Sequence, residues 1–147
     1  MIMKSSNYLE AFFSTKKVVT NISYISNYIP IELFNGTILD KSILKGHSIT
    51  VIYFWASWCS PCIQNLIEIT LSKNALSNHK INFIPIFYEC SKESVLEILK
   101  KKKLNFEPLE LSEKSAILYQ IYSLSQTFVF DEEGKLISEE FNVADIR

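Results

Sequence analysis

Val51-Ile52-Tyr53-Phe54-Trp55-Ala56-Ser57-Trp58-Cys59-Ser60-Pro61-Cys62 is the stretch on which the reading of this chain turns. Val51 to Trp55 is β-branched and aromatic without a polar break, the pattern of a strand buried on both faces of a parallel sheet. After it the period changes. Ile63, Leu66, Ile67 and Leu71 recur at helical spacing, and Pro61 suits a first helical turn, where a missing N–H has no intrahelical partner to lose. Cys59 is therefore expected at or just before a helix N-terminus, where unpaired N–H groups and the helix dipole favour a thiolate over a thiol. Cys62, one turn later, can approach it and close a small disulfide ring, so the spacing describes a reversible dithiol switch. Two other readings stay open on these residues alone. The same spacing can form half of a zinc site, which only Cys90, His47 and His79 could complete, or it can be two inert core cysteines.

Working outward, the 147 residues suit one domain, large enough to bury about two-thirds of its unfolded surface without a staple. The formal net charge of −1 points neither to nucleic acid nor to an acidic membrane as partner. Three cysteines are too few for a secreted disulfide scaffold, and Cys90 is left over when Cys59 pairs with Cys62. Cys90 reads as a small apolar side chain at a strand-to-helix junction rather than as a third redox thiol. No apolar run approaches the ~20 residues of a membrane span. The start, Met1-Ile2-Met3-Lys4, lacks the apolar core and cleavage site of a signal peptide, so a complete chain is expected in the cytoplasm.

Residues 1–30 read as an extension, with a short helix over Tyr8 to Lys17 and then extended chain, packed against a domain of residues 31–147. Ile31 to Phe34 and Thr37 to Leu39 flank Asn35-Gly36, a two-residue hairpin turn signal. The cysteine helix is expected to fade near Asn74, with Ser77-Asn78-His79-Lys80 as a solvated loop. Ile81 to Tyr88 is the next strand, and Pro85 inside it argues for an edge position or a bulge. Ser91 reads as an N-cap, with Glu93 in the first turn and Val95, Leu96 and Leu99 as the buried face. Lys100 to Lys103 answer the dipole at that helix's end rather than forming a nucleic-acid patch. Ser112 to Tyr122 reads as a further helix, and Thr127 to Phe130 with Lys135 to Ile137 as an antiparallel pair around Asp131-Glu132-Glu133-Gly134. The expected architecture is α/β, with helices on both faces of a central sheet.

Trp55-Ala56-Ser57-Trp58-Cys59-Ser60-Pro61-Cys62 resembles the active-site signature of thioredoxin-fold thiol-disulfide oxidoreductases, particularly the TlpA/ResA-like branch. Phe34-Asn35-Gly36-Thr37 and Leu44-Lys45-Gly46-His47 before the strand are similar to that branch, as is Thr127 to Ile137 after it. The resemblance implies a thioredoxin-like three-layer sandwich with a central mixed β-sheet. It also implies an enzyme in which Cys59 attacks a substrate disulfide and Cys62 resolves the mixed disulfide. Trp58 would pack beside the site and shield it, Ser60 and Pro61 would shape the helix start, and Trp55 belongs to the core. Implied partners are protein disulfides or dithiols and an upstream electron-transfer partner, the chain acting as a monomer. No cofactor and no metal are implied, and no glycine-rich nucleotide loop is present to supply electrons. Because such proteins commonly work outside the cytoplasmic membrane, the periplasm is the alternative compartment.

The sequence departs from that pattern at four positions. Ser125 stands where the family has a cis-proline facing the dithiol, so the Leu124-Ser125 bond is expected to be trans and the substrate-facing loop to differ. The alternative function is accordingly a redox-impaired binding module with an altered Ser125 loop. Tyr53 stands where relatives often have a buried Asp or Asn, and Asn65 where the branch often has Glu. Ile67 replaces a helix-kinking proline.

Overall fold

The computed structural model describes residues 30–72, 80–121 and 126–140. The expected N-terminal extension, the loop around His79, Leu124 with Ser125, and the tail after Glu140 lie outside the described residues.

The long central strand, β3 (Ile49–Trp55), begins two residues before the apolar run and is buried from Thr50 onward. It pairs in parallel with β4 (Ile81–Phe87) on one side and antiparallel with β6 (Thr127–Asp131) on the other. Two short strands complete the sheet: β5 (Leu109–Glu110) lies parallel to β4, and β7 (Leu136–Ser138) antiparallel to β6. The order β5-β4-β3-β6-β7 places β3 at the centre. Alternation along β3 then feeds two cores. Ile52 and Phe54 point into one, with Ile84, Ile86, Phe128 and Phe130. Tyr53 and Trp55 point into the other, with Phe87. The second core is closed by α1 (Ser60–Leu71), through Cys62 and Leu66, and by α2 (Lys92–Lys101), through Val95 and Leu99. On the opposite face lie α3 (Glu113–Leu118), through Ala116, and the hairpin of β1 (Ile31–Glu32) and β2 (Ile38–Leu39). Helices thus cover both faces of a mixed sheet.

Several boundaries differ from the sequence expectation, each for a local reason. The first hairpin turns through three residues rather than two, because the Leu33 N–H donates to the Thr37 carbonyl at 2.8 Å. Gly36 alone takes positive φ, at 91°, as a turn closed by one left-handed residue requires. Pro85 marks no bulge, since the register of β4 with β3 is continuous, but it does stand at an edge: β5 pairs only with Ile86 and Phe87 and leaves Pro85 uncovered on that side. The Tyr88 N–H donates to the Trp55 carbonyl and the Phe87 carbonyl accepts from the Leu111 N–H. Odd-numbered residues of β4 therefore face β5, and β5 begins only opposite Ile86. The missing N–H of Pro85 falls on a flank with no strand to receive it.

In α2 the Ser91 cap holds, its Oγ accepting the Ser94 N–H at 3.1 Å. The buried stripe, however, runs through Val95, Ile98 and Leu99, while Leu96 is exposed. The third helix stops at Leu118, with Gln120 at φ 56° turning the chain away. The strand β5 was absent from the sequence expectation.

Candidate active site

Parallel pairing of β3 and β4 brings the connections after Trp55 and after Phe87 to the same end of the sheet, where open α/β sheets place their ligand sites. The first of these carries the cysteines. Cys59 is the N-cap of α1, with extended backbone, and Pro61 lies in the helix's first positions. The Cys59 Sγ accepts the Cys62 N–H at 3.3 Å, so the sulfur takes the place that a serine or aspartate oxygen takes in other caps. Cys59 and Cys62 are joined as a disulfide with their Cα atoms 5.3 Å apart.

The two sulfurs are not equivalent. Cys59 is partly exposed, whereas Cys62 has no exposed surface and belongs to the core beneath α1. When the bond opens, a thiolate at Cys59 gains from the Cys62 N–H and the helix N-terminus. Burial favours the neutral thiol at Cys62. The arrangement can therefore separate an outward, ionised nucleophile from an inward, protonated partner.

Three side-chain bonds tie the cysteine loop to the connection between β4 and α2 and to the first turn of α2. The Ser57 N–H donates to the Cys90 Sγ at 3.3 Å. The Ser57 and Ser94 hydroxyls are 2.6 Å apart, and since Ser94 gives its proton to the Ser91 carbonyl, Ser57 is the donor between them. The Trp58 indole N–H donates to the Glu89 carbonyl at 2.9 Å, and Glu89 sits at φ 63°, turning that carbonyl toward it. Trp58 is anchored by its polar edge while 62% of its surface stays open. Cys90 packs against the core, as expected, and it is also a hydrogen-bond acceptor of the cysteine loop. Sequence reasoning missed Ser57, Glu89 and Ser94. Their signal was available in the parallel βαβ pattern, which forces the two connections together.

Beneath the dithiol, the buried Tyr53 hydroxyl donates to the Cys62 carbonyl at 3.0 Å. Burial pushes this phenol up to about 12, partly offset by a hydrogen bond with the Asn65 side chain. Trp55 is buried in the core, and Ser60 and Pro61 are exposed in the first turn of α1. The structure thus brings Trp58, Cys59, Ser60, Pro61 and Cys62 together, whereas Leu124 and Ser125 are outside the described residues. Among the described residues, no group of three or more His, Cys, Asp or Glu side chains is placed to hold a metal ion. No helix among them is long and apolar enough to cross a membrane.

Comparison with known proteins agrees with this geometry. Sporulation thiol-disulfide oxidoreductase A of Bacillus subtilis (strain 168) is 26% identical over 102 residues, 66% of this chain and 61% of its own length. SCO2-like protein RP587 of Rickettsia prowazekii (strain Madrid E) is 36% identical over 87 residues, 56% of this chain and 42% of its own length. The chain thus spans less than two-thirds of either relative. Among solved structures, the thioredoxin domain of a thiol-disulfide oxidoreductase from Bacteroides vulgatus superposes with a TM-score of 0.63 at 18% identity, over 80% of this chain and 86% of that one. A thiol:disulfide interchange protein from Bacteroides sp. gives a TM-score of 0.62 at 18% identity, over 80% and 79% of the two chains. These likenesses establish the thioredoxin-like fold. The model of the AhpC/TSA family matches residues 31–138, from the first hairpin to the end of β7; the chain belongs to that family.

Proposed function

We propose that this chain is a thiol-disulfide oxidoreductase that exchanges disulfides with protein partners, Cys59 attacking and Cys62 resolving. The observation that carries this reading is the asymmetry of the pair: a partly exposed Cys59 Sγ at a helix N-cap, accepting the Cys62 N–H, bonded to a fully buried Cys62. In the reducing direction the Cys59 thiolate attacks one sulfur of a substrate disulfide, and the displaced thiolate takes a proton from solvent. Cys62 then gives up its proton and attacks the Cys59 Sγ, releasing the second substrate thiolate. The substrate gains two electrons and the chain is left as the Cys59–Cys62 disulfide. A partner dithiol returns it to the reduced form. The exposed Trp58 face and the Ser57 loop, tied to Cys90, offer such partners a surface beside the nucleophile.

In this reading residues 31–147 act as a monomeric domain and residues 1–30 as its extension. Direction and compartment follow from the reduction potential of the pair measured against glutathione. A value near −270 mV suits a reductase of a reducing compartment, and one near −120 mV an oxidant of the periplasm.

The direct test is mechanism-based trapping. Cys62→Ser should accumulate mixed disulfides on Cys59, because the first attack survives and the second is lost, while Cys59→Ser should trap nothing. The unmodified protein should accelerate insulin reduction by dithiothreitol, and each variant should lower that acceleration at least tenfold. Equal trapping by both variants would sink the assignment of roles.

A further inference from the structure

Opening of the Cys59–Cys62 bond removes the covalent tie that holds Cys62 against its partner sulfur. Cys62 is the third residue of α1, in the turn that begins the helix. Its sulfur must return to the Cys59 sulfur for resolution, and closure tolerates little error, since a displacement of about 1 Å at a reacting atom can cost ~100-fold in rate.

The side chain that reaches this turn from the sheet is Tyr53. It leaves β3 opposite Pro85, and its ring is buried beside Phe83, with centroids 5.8 Å apart. Its hydroxyl spans from the strand to the Cys62 carbonyl at 3.0 Å. One phenol thus ties the first turn of the helix to the central strand. We infer that Tyr53 is the positioning residue of the resolving step: its hydroxyl holds the Cys62 turn in register with β3 while the dithiol is open. Cys59 makes no such bond to Tyr53 among those described; its sulfur is placed by the Cys62 N–H and its backbone by the Ala56 carbonyl. The first attack does not depend on Tyr53, and the second does. This inference rests on the exchange reaction proposed above.

The test separates the two steps with glutathione disulfide as the probe. Reduced protein is mixed with it, quenched with acid at intervals, and its dithiol, Cys59–glutathione mixed disulfide and closed disulfide are counted by mass. The first step consumes one glutathione disulfide and releases one glutathione. The second forms the Cys59–Cys62 bond and releases another, with the Cys62 proton passing to solvent. In Tyr53→Phe, which keeps the ring and loses the hydroxyl, the first step should run at the wild-type rate. The second should slow about five- to tenfold, the scale of one lost hydrogen bond. The equilibrium with glutathione should move toward the dithiol by the same factor, about 20 to 30 mV.

Phe83→Leu disturbs the packing of the same ring without removing the hydroxyl, and it should not reproduce this split. Equal slowing of both steps in Tyr53→Phe, slowing of neither, an unmoved equilibrium, or the same split in Phe83→Leu overturns the assignment to the hydroxyl. A wild-type protein that never closes the disulfide overturns the exchange reading and this inference together.

Discussion

Tyr53 also carries a titration that can be read without any substrate. Burial raises its phenol to about 12 in the folded chain, against ~10 when unfolded. Below pH ~10 the phenol is protonated in both states and its contribution to stability is fully present. Between pH ~10 and ~12 the unfolded chain loses a proton that the folded chain keeps, so stability falls as pH rises through this window. Tyr88 and Tyr119 are raised in the same direction by burial. A difference between two proteins that both retain them therefore isolates Tyr53. The prediction is that the gap in melting temperature between wild type and Tyr53→Phe is constant up to pH ~10 and shrinks above it. A gap that stays constant to pH ~12 would mean that the phenol is not buried as described.

At the level of elements, the caps show how much of the fold is written locally. Ser91 accepts the Ser94 N–H, and Ser112 accepts the Ser115 N–H at 3.1 Å. Ser91→Ala should destabilise the protein by about 1 kcal/mol, seen as a lower urea midpoint with an unchanged slope; no shift would mean that solvent satisfies this helix end equally well. These caps, the cysteine helix, β3 and the last hairpin were legible in the sequence because each is specified by neighbours within a few residues. What was not legible depends on distant pairing. β5 is only Leu109 and Glu110, too short for any alternation, and it exists because Ile86 and Phe87 offer it a ladder. The exposure of Leu96 is decided by which side of α2 meets Leu66 and Phe87, as Val95 and Leu99 already fill that core. The candidate site divides in the same way. Cys59, Cys62 and Trp58 stand in one motif, whereas the bonds from Ser57 and Trp58 to Glu89, Cys90 and Ser94 cross more than thirty residues of sequence.

For the whole molecule, the two cores meet at β3, so loss of volume on either side is felt throughout the sheet. Phe128, 2% exposed and edge-on to Phe54 with ring centroids 5.8 Å apart, lies in the larger core. Phe128→Ala should cost about 3–5 kcal/mol, while Phe34→Ala, at a ring 72% exposed, should stay within about 0.5 kcal/mol. Denaturant titration of both variants checks the contrast, and comparable losses would contradict the burial described. The proline of β4 has a consequence at this scale as well. No described strand pairs with the flank of β4 between Ile81 and Pro85 on the β5 side, and such open flanks invite strands from other molecules. A strand arriving there from a second copy would meet no donor at Pro85, so the ladder it could build on this side of the sheet would lack a rung at that point.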